Sequence, residues 1–357
     1  MRSGFDRVVG SSGALCYADE ADMRAFITGG TGLLGSHLVE RLVARGDEVV
    51  ALVRQTSDTR FLKRLGVELV IGDVSDRSSL ERGMDGAEVV FHAAAKVSDW
   101  GPWSEFQRHT IDGTHYVLEA MRATGVRRLV HISSVAVYGR QAHRGGRYTE
   151  EAPYGTDFMA WEYYAPAKIA AEKMVLGYHQ RGWVDARVIR PGWIYGPRDR
   201  AGFPRLVRFL KSDLACLVGS GDNELQLVYA GNVADACILA AIREVASGRI
   251  YNVSRDCQVT QRQYVNAVTR ALGLRPVTRR IPTPVAIQLA WMSEIMARLV
   301  GKREPPSLTR YGVYIVSNRG DFDCTRARQE LGWQPRVTFE EGLARTVEWY
   351  RSEYENE

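Results

Sequence analysis

Cysteine is scarce and scattered in this chain, which argues against two classes of protein. The 357 residues contain five cysteines, Cys16, Cys216, Cys237, Cys257 and Cys324, and no Cys-x-x-Cys pair. Disulfide-stapled folds and zinc sites both need cysteines in closely spaced sets. The sequence therefore predicts neither a disulfide framework nor a metal site. A reduced, cytoplasmic setting is the simplest interpretation.

A strong charge of one sign and a long apolar run are missing as well. The formal net charge is +5 and the basic residues are scattered, so we expect no nucleic-acid partner. The most apolar segment, residues 284–300, is interrupted by Glu294 and Arg298 and flanked by basic residues. We interpret it as a helix packed over a substrate cleft. The alternative is a helix lying peripherally on a membrane surface.

The beginning of the chain lacks both hydrophobic periodicity and the continuous apolar core of a signal peptide. We therefore expect residues 1–22 to be a flexible extension, with Met23 as a natural start of the folded part. The hydrophobic content of 45% and charged content of 25% are those of an ordinary globular protein. A chain of this length suits one large α/β domain or two modest ones.

A glycine-rich stretch, Thr28-Gly-Gly-Thr-Gly-Leu-Leu-Gly35, lies between an apolar strand and an amphipathic helix. Strand, glycine turn, helix and second strand (48–53) form a βαβ unit, and the helix start then faces a ligand above the sheet. Gly29 permits the tight turn, Gly32 lets backbone N–H groups approach a diphosphate, and Gly35 lets helix and strand pack closely. Free N–H groups at a helix start favour an anion, so we expect a dinucleotide here rather than an ordinary turn.

Strands and helices continue to alternate through the middle of the chain, with strands expected at 68–73, 89–95, 128–134 and 186–190. This alternation predicts an α/β protein with a doubly wound parallel sheet. We expect a dinucleotide-binding domain over 23–190, to which a segment near 225–255 returns. Residues 191–357 then form mainly a smaller α/β substrate-binding lobe.

Tyr164 and Lys168 lie four residues apart in a predicted helix, so their side chains share one face. A phenol has a pKa near 10, and lowering it by about three units requires ~4 kcal/mol. An ammonium about 4 Å away supplies ~4 kcal/mol at an effective dielectric of 20. The pair could therefore let Tyr164 act as an acid and base, whereas a surface pair is the alternative.

Two serines, Ser133 and Ser134, end a predicted parallel strand at its carboxyl edge, where ligands of open α/β sheets bind. A hydroxyl at this edge can hydrogen-bond a substrate oxygen. The alternative is a helix cap or a turn hydroxyl.

Taken together, these motifs resemble the extended short-chain dehydrogenase/reductases, the NAD-dependent epimerase/dehydratase superfamily, over nearly all of 24–350. The resemblance is carried by the glycine stretch and by Gly72-Asp73, His92-Ala-Ala-Ala95, Ser133-Ser-Val-Ala-Val-Tyr-Gly139, Tyr164-x-x-x-Lys168 and Arg190-Pro-Gly-Trp-Ile-Tyr-Gly-Pro-Arg198. It implies a Rossmann-type sheet. It also implies that Tyr164 exchanges the proton, that Ser134 orients the reacting oxygen, and that Lys168 also holds the nicotinamide ribose.

The same resemblance implies a set of cofactor-binding residues. They are Gly29, Thr31, Gly32, Leu33, Leu34, Gly35, Arg54, Asp73, Val74, Ala93, Ala95, Lys168 and Pro191. Members that prefer NAD end the second strand with an acid, whereas this chain has Arg54 there. Because arginine can pair with a 2′-phosphate, we expect NADP(H) to be favoured, with NAD(H) as the alternative. A second departure is Thr110, where the family usually has asparagine.

The second half of the chain looks like the 3β-hydroxysteroid dehydrogenase branch. The resemblance is carried by Val228-Tyr-Ala-Gly-Asn-Val-Ala234, Pro305-Pro-Ser-Leu-Thr-Arg-Tyr311 and Glu330-Leu-Gly-Trp-Gln-Pro335. Sugar-nucleotide epimerases usually carry an arginine where this chain has Leu225, and an apolar residue cannot pair with a diphosphate. Aromatic side chains offer a pocket for a bulky hydrophobic substrate; they are Trp100, Trp103, Phe158, Trp161 and Trp193.

We therefore expect an oxidoreductase that interconverts a secondary alcohol and a ketone on a sterol-like or polyketide-like molecule. The alternatives are a sugar-nucleotide epimerase or dehydratase and a non-catalytic NADP-binding scaffold. By analogy with the family, we expect a homodimer formed through helices near 103–124 and 165–181.

Overall fold

The computed structural model describes residues 22–355. The expected N-terminal extension therefore lies, apart from Asp22, outside the described residues. The strands are β1 (Arg24–Thr28), β2 (Glu48–Val53), β3 (Glu68–Ile71), β4 (Val89–His92), β5 (Arg128–Ile132), β6 (Arg147–Tyr148), β7 (Asp185–Pro191), β8 (Trp193–Tyr195), β9 (Leu217–Val218), β10 (Leu227–Tyr229), β11 (Ile250–Val253), β12 (Arg280–Ile281) and β13 (Asp321–Phe322).

The helices alternate with the strands through most of the first half. They are α1 (Leu33–Arg45), α2 (Arg60–Arg64), α3 (Arg77–Met84), α4 (Trp103–Phe106), α5 (Gly113–Thr124), α6 (Tyr164–Gln180), α7 (Gly202–Leu210), α8 (Ala230–Ile242), α9 (Gln261–Ala271), α10 (Thr283–Leu299), α11 (Arg310–Val316), α12 (Thr325–Glu330) and α13 (Phe339–Tyr354). A π-helical turn, Gln107–Asp112, joins α4 to α5, and two 3₁₀ helices, Val135–Tyr138 and Arg140–Arg144, follow β5.

Seven parallel strands form one sheet in the order β11-β7-β5-β4-β1-β2-β3. Successive residues of each strand face opposite sides, so both faces need a helical cover. In β1, Ala25 and Ile27 pack in the core beneath α1 and α8, whereas Phe26 packs on the other face against α3, α5 and α6. The predicted doubly wound parallel sheet is thus confirmed.

A smaller lobe follows β7 and contains two short parallel pairs, β8 with β10 and β9 with β12. Its main core lies between β8, β9 and β10 and the helices α7, α9 and α13. A separate small cluster joins α10 to α11 through Ala286, Ala290 and Val313. No helix in the described part of the chain is long and apolar enough to span a bilayer.

Candidate active site

The strand order reverses between β1 and β4, which are direct neighbours in the sheet. The loops that follow these strands therefore lie side by side at the carboxyl edge, where open α/β sheets bind ligands. Gly29 has a φ of +77°, and a Cβ atom on it would lie 2.7 Å from the backbone nitrogen of Ala94. Only glycine fits there, because the two loops touch at that point.

The start of α1 is built to accept an anion. The Gly32 N–H donates to the Gly29 carbonyl (3.0 Å), and a Cβ on Gly35 would lie 2.1 Å from that same oxygen. The N–H groups of Leu33, Leu34 and Gly35 have no backbone acceptor among residues 22–355, and the first turn holds no acidic side chain. A Cβ on Gly32 would meet only the Gly29 oxygen. Open space and free donors at a helix start fit a dinucleotide pyrophosphate.

Arg54 and Asp73 follow β2 and β3 at the same edge of the sheet. Burial alone would raise the pKa of Asp73. Hydrogen bonds from the Ser75 backbone N–H (2.9 Å) and hydroxyl (2.7 Å), with the charges of His109 and Arg54, lower it instead. The Asp73 carboxylate is thus ionised and oriented. Arg54 is exposed, so its guanidinium is accessible from solvent.

The remaining residues implied by the resemblance have different surroundings. Thr31 and Leu33 are partly buried in the glycine turn and the first turn of α1, and Ala93 and Ala95 are partly buried in the loop after β4. Leu34, Val74 and Pro191 are buried. Leu34 packs in the core beneath α1. Its side chain is therefore a core residue, and only its backbone N–H faces the helix start.

Ser134, Tyr164 and Lys168 come together on two neighbouring elements. Ser134 caps the 3₁₀ helix after β5, with its hydroxyl accepting the Ala136 N–H (3.1 Å). Tyr164 begins α6 and Lys168 follows one turn later, and its ammonium donates to the Ile132 carbonyl at the end of β5 (2.8 Å). The helix and the strand end thus hold all three side chains at the same sheet edge.

The electrostatics of Tyr164 differ from the prediction. Burial raises the pKa of Tyr164, and the nearby Ser134 hydroxyl opposes that rise; Lys168 does not contribute. The ammonium is instead anchored to the backbone of β5. The expected lowering of the phenol pKa by Lys168 is therefore wrong for this arrangement, and Tyr164 is protonated at neutral pH.

Lys168 itself is affected by burial and by a nearby carboxylate. Burial lowers the pKa of Lys168 to about 8, although the charge of Glu172 raises it. The ammonium is therefore the main form at pH 7 and is lost as the pH passes 8. Lys168 therefore changes its protonation state within the pH range in which enzymes are usually assayed, whereas a solvent-exposed lysine does so at higher pH.

A buried ionic network behind Lys168 was not predicted from the sequence. Glu172, one helical turn beyond Lys168, is fully buried and forms an ion pair with the buried Arg190 of β7. Glu172 also accepts hydrogen bonds from the hydroxyls of Ser133 and Tyr154, and Arg190 donates to the Tyr138 hydroxyl (2.8 Å). The i, i+4 spacing from Lys168 was the available signal, because it places Glu172 on the same helical face.

Thr110, the departure from the family pattern, lies in the π-helical turn and is buried. Its hydroxyl accepts the N–H of Lys96 (3.0 Å), and its carbonyl accepts the Thr114 hydroxyl (2.6 Å). Thr114 in turn hydrogen-bonds the ring of His92 (3.0 Å), the last residue of β4. This turn therefore holds the loop after β4 beside the site. Burial lowers the pKa of His92 to about 3, so its ring is neutral at pH 7.

Next to Tyr164 lies a small cavity, of about 20 Å³, lined by aromatic and charged side chains. Its lining includes Asp99, Trp161, Tyr163, Glu294, Arg298, Arg310 and Tyr311. Two of the predicted pocket aromatics are involved: Trp161 lines the cavity, and Trp100 stacks on Arg298. Trp103 packs on Tyr163, which lines the cavity. Trp193 instead packs on Tyr264 in the lobe core, and Phe158 packs beside the 3₁₀ helix Val135–Tyr138. The predicted pocket is therefore only partly assembled from these residues.

A second cavity, of about 410 Å³, lies in the lobe and does not contain Tyr164. Arg255 lines it and is paired with Glu224 and Asp321. Leu225 is buried in the lobe core beside it. Within residues 22–355, no group of three or more His, Cys, Asp or Glu side chains is placed to hold a metal ion.

Comparison with known proteins agrees with this geometry. The model of the NAD dependent epimerase/dehydratase family matches residues 25–254. A 2-alkyl-3-oxoalkanoate reductase from Shewanella oneidensis is 32% identical, covering 90% of this chain and 84% of that protein. A decarboxylating sterol-4-alpha-carboxylate 3-dehydrogenase from Mus musculus is 28% identical, covering 90% of this chain and 89% of that protein.

A solved structure is similar over almost the whole chain. It is a double mutant of DesIV, a dTDP-glucose 4,6-dehydratase from Streptomyces venezuelae, with NAD and DAU bound. It has a TM-score of 0.73 and 26% identity, covering 94% of this chain and 99% of that one. With the glycine-lined helix start, this likeness supports a nicotinamide cofactor. The chain therefore belongs to the NAD-dependent epimerase/dehydratase family, the extended short-chain dehydrogenase/reductases, as its sequence motifs predict.

Proposed function

We propose that this protein is a nicotinamide-dependent oxidoreductase that interconverts a ketone and a secondary alcohol on a bulky hydrophobic substrate. The observation that carries the proposal is the convergence of Ser134, Tyr164 and Lys168 at the sheet edge, beside the free N–H groups of α1. The names of the relatives support it, since one is a reductase of an oxo group and the other a sterol dehydrogenase.

In this mechanism each of the three side chains has a separate role. The N–H groups at the start of α1 would hold the pyrophosphate of a reduced nicotinamide cofactor, which would supply the hydride for the carbonyl carbon. Tyr164 donates its phenolic proton to the carbonyl oxygen, so the C=O bond becomes CH–OH and a phenolate remains. Ser134 donates a hydrogen bond to the same oxygen and orients it. Lys168, anchored to the Ile132 carbonyl, would hold the nicotinamide ribose, and a proton from solvent restores the phenol.

The raised pKa of Tyr164 matches the proton requirement of one direction of the reaction. Reduction needs a protonated Tyr164, which burial provides at neutral pH. Oxidation needs the phenolate, which burial disfavours. At pH 7 Tyr164 is therefore in the form that ketone reduction requires, while the ratio of reduced to oxidised cofactor decides the net direction.

The proposed function is tested with a substrate panel. Purified protein is incubated with NADPH or NADH and with hydrophobic β-oxo compounds, oxosteroids or UDP- and dTDP-hexoses, and cofactor absorbance is followed. We expect oxidation of the reduced cofactor only with hydrophobic ketones. Conversion of a nucleotide-linked hexose, with no hydrophobic ketone reduced, would overturn the proposal and favour the sugar-nucleotide alternative.

We further propose that NADP(H) is preferred and that Arg54 is responsible. The exposed guanidinium lies near Asp73 at the sheet edge and can pair with a 2′-phosphate. Replacing Arg54→Glu should lower kcat/KM for NADPH by about 10- to 100-fold, since charge-assisted hydrogen bonds contribute about 1.5–3 kcal/mol. Activity with NADH should change little. A wild-type preference for NADH would contradict this assignment.

We propose, as the alternative to a helix that only packs over the substrate cleft, that residues 284–300 contact a membrane surface. On α10, Ala286, Ala290 and Ala297 face inward, and the opposite face exposes apolar side chains. These are Val285, Leu289, Met292, Met296 and Leu299. If this face of α10 contacts a membrane peripherally, the protein should co-sediment with anionic vesicles. Replacing Leu289 and Met296 with Glu should abolish it.

We also propose a homodimer formed through 103–124 and 165–181. Helices α5 and α6 pack against each other on one face of the sheet, and their outer surfaces carry the expected interface. Sedimentation equilibrium should give twice the chain mass of 40.0 kDa. A monomer mass at micromolar concentration would rule out a stable dimer.

A further inference from the structure

The cavity beside Tyr164 contains an arginine whose guanidinium has no hydrogen-bond acceptor among residues 22–355. Arg298 lies on α10, its Nε atom is buried, and it makes no hydrogen bond or ion pair with any residue of 22–355. Its Cζ atom lies 4.1 Å from the ring centroid of Trp100 and 4.4 Å from that of Trp161. A buried Nε–H without an acceptor costs free energy, which a hydrogen-bond acceptor on a ligand would recover.

The acidic side chains that line this cavity have partners of their own. Asp99 pairs with Arg205 (3.1 Å), and Glu294 pairs with Arg310 (2.7 Å). Glu162 accepts the Met159 N–H (3.0 Å), and burial raises the pKa of its carboxyl. Burial also lowers the pKa of Arg298, although the charge of Glu294 opposes that shift. None of these acids hydrogen-bonds Arg298.

The two tryptophans hold Arg298 in a defined orientation. Trp100 is buried and anchored by a hydrogen bond from its indole to the Lys302 carbonyl (3.0 Å). Trp161 has a φ of +68°, a left-handed backbone conformation that is strained for a bulky residue. Because the two indole rings contact the guanidinium, its N–H edge is the part that can donate hydrogen bonds to a planar group on a ligand.

We infer that Arg298 binds a carboxylate on the substrate, close to the carbon that is reduced. The inference rests on the proposed function, because Tyr164, the proton donor, lines the same cavity. A carboxylate matches one planar guanidinium in an aromatic setting, whereas a phosphate dianion would need a second free cation, and Arg310 is already paired. The substrate class is then a 3-oxo or 3-hydroxy carboxylate with a hydrophobic chain.

The test compares an acid with its uncharged ester. Oxidation of a 2-alkyl-3-hydroxyalkanoate and of its methyl ester is measured for the wild type, Arg298→Gln and the control Arg303→Gln, whose arginine is exposed after α10. We expect Arg298→Gln to lower kcat/KM for the acid by about 10- to 100-fold, mainly through KM, as expected for a lost charge-assisted pair. The ester should change by less than about threefold, since it offers no charge to pair. The control should match the wild type.

Binding provides a readout that does not depend on turnover. A 2-alkylalkanoate without the hydroxyl is titrated while tryptophan fluorescence is followed, because Trp100 and Trp161 contact Arg298. We expect saturable quenching in the wild type that is weakened in Arg298→Gln. Equal losses for acid and ester, or equal binding by both proteins, would overturn the inference. Failure of the whole substrate panel would overturn the proposed function instead, and the titration would still test Arg298.

Discussion

Burial acts in opposite ways on the two ionisable residues at the centre of the site. It keeps Tyr164 protonated, whereas it brings the pKa of Lys168 to about 8, within reach of ordinary buffers. Both effects are desolvation of a charged form. In the proposed mechanism, the phenol gives up its proton only when charge develops on the substrate oxygen. The lysine is charged at neutral pH but close to losing that charge.

Removing the phenolic hydroxyl should separate chemistry from cofactor binding. We expect Tyr164→Phe to lower kcat for reduction by about 10²- to 10⁴-fold, the usual contribution of a general acid. The cofactor Kd should be unchanged, since the glycine turn lies on a different element. Steady-state rates and cofactor fluorescence check this. A variant that keeps more than a tenth of the activity would contradict the role of Tyr164.

The pH dependence of reduction should follow Lys168. Because its pKa is about 8, the ammonium is present below pH 8 and absent above it. We therefore expect kcat/KM for ketone reduction to be level near pH 6–7 and to fall as the pH rises through 8. In Lys168→Arg, whose charge persists, the decline should move to higher pH. A rate that rises between pH 7 and 9 would argue against this assignment.

The buried pair of Glu172 and Arg190 should contribute to stability and to the lysine pKa together. Glu172→Gln leaves a buried guanidinium unpaired, which costs about 3–5 kcal/mol of unfolding free energy. The alkaline decline should also shift below pH 8, since the charge of Glu172 raises the Lys168 pKa. Thermal melts and pH profiles measure both effects. The control Glu81→Gln, at an exposed pair with Arg77, should cost less than about 1 kcal/mol.

At the level of elements, strand and helix identities followed from the sequence, but their ends and partners did not. Strand β2 has the predicted bounds, whereas β4 ends at His92 rather than at residue 95. Ala93 and Ala95 therefore lie in a loop at the sheet edge. The helix expected over 103–124 contains a π-helical turn, which hydrophobic periodicity does not indicate. The contacts of Glu172 and Arg298 depend on tertiary packing between distant segments, so local patterns could not predict them.

The glycine turn offers a test with a matched control. Gly29 and Gly273 both have positive φ, at +77° and +68°, but only Gly29 would place a Cβ against backbone, 2.7 Å from Ala94. Gly273→Ala should cost about 1 kcal/mol through strain alone. Gly29→Ala should cost more and should also abolish cofactor binding, because the two loops must move apart. Equal melting temperatures and intact cofactor binding in both variants would contradict this account.

At the scale of the whole molecule, the nucleotide-binding sheet is completed from beyond the first half of the chain. Strand β11 pairs with β7, and α8 packs on α1 and on the same face of the sheet. A fragment ending at residue 200 would lack both and would expose core side chains such as Leu38. We expect it to show no cooperative thermal transition by circular dichroism. A cooperative melt would show that residues 23–190 fold alone.

This arrangement has a consequence during synthesis on the ribosome. Until Val253 has left the exit tunnel, the outer edge of β7, which pairs with β5 on its other side, has no partner strand, and the sheet face beneath α8 is exposed. An unpaired strand beside exposed apolar surface invites pairing with other nascent chains. The growing polypeptide should therefore depend on chaperones through that interval, and mutations that slow the docking of β11 should reduce yield in cells more than they reduce the activity of the purified protein.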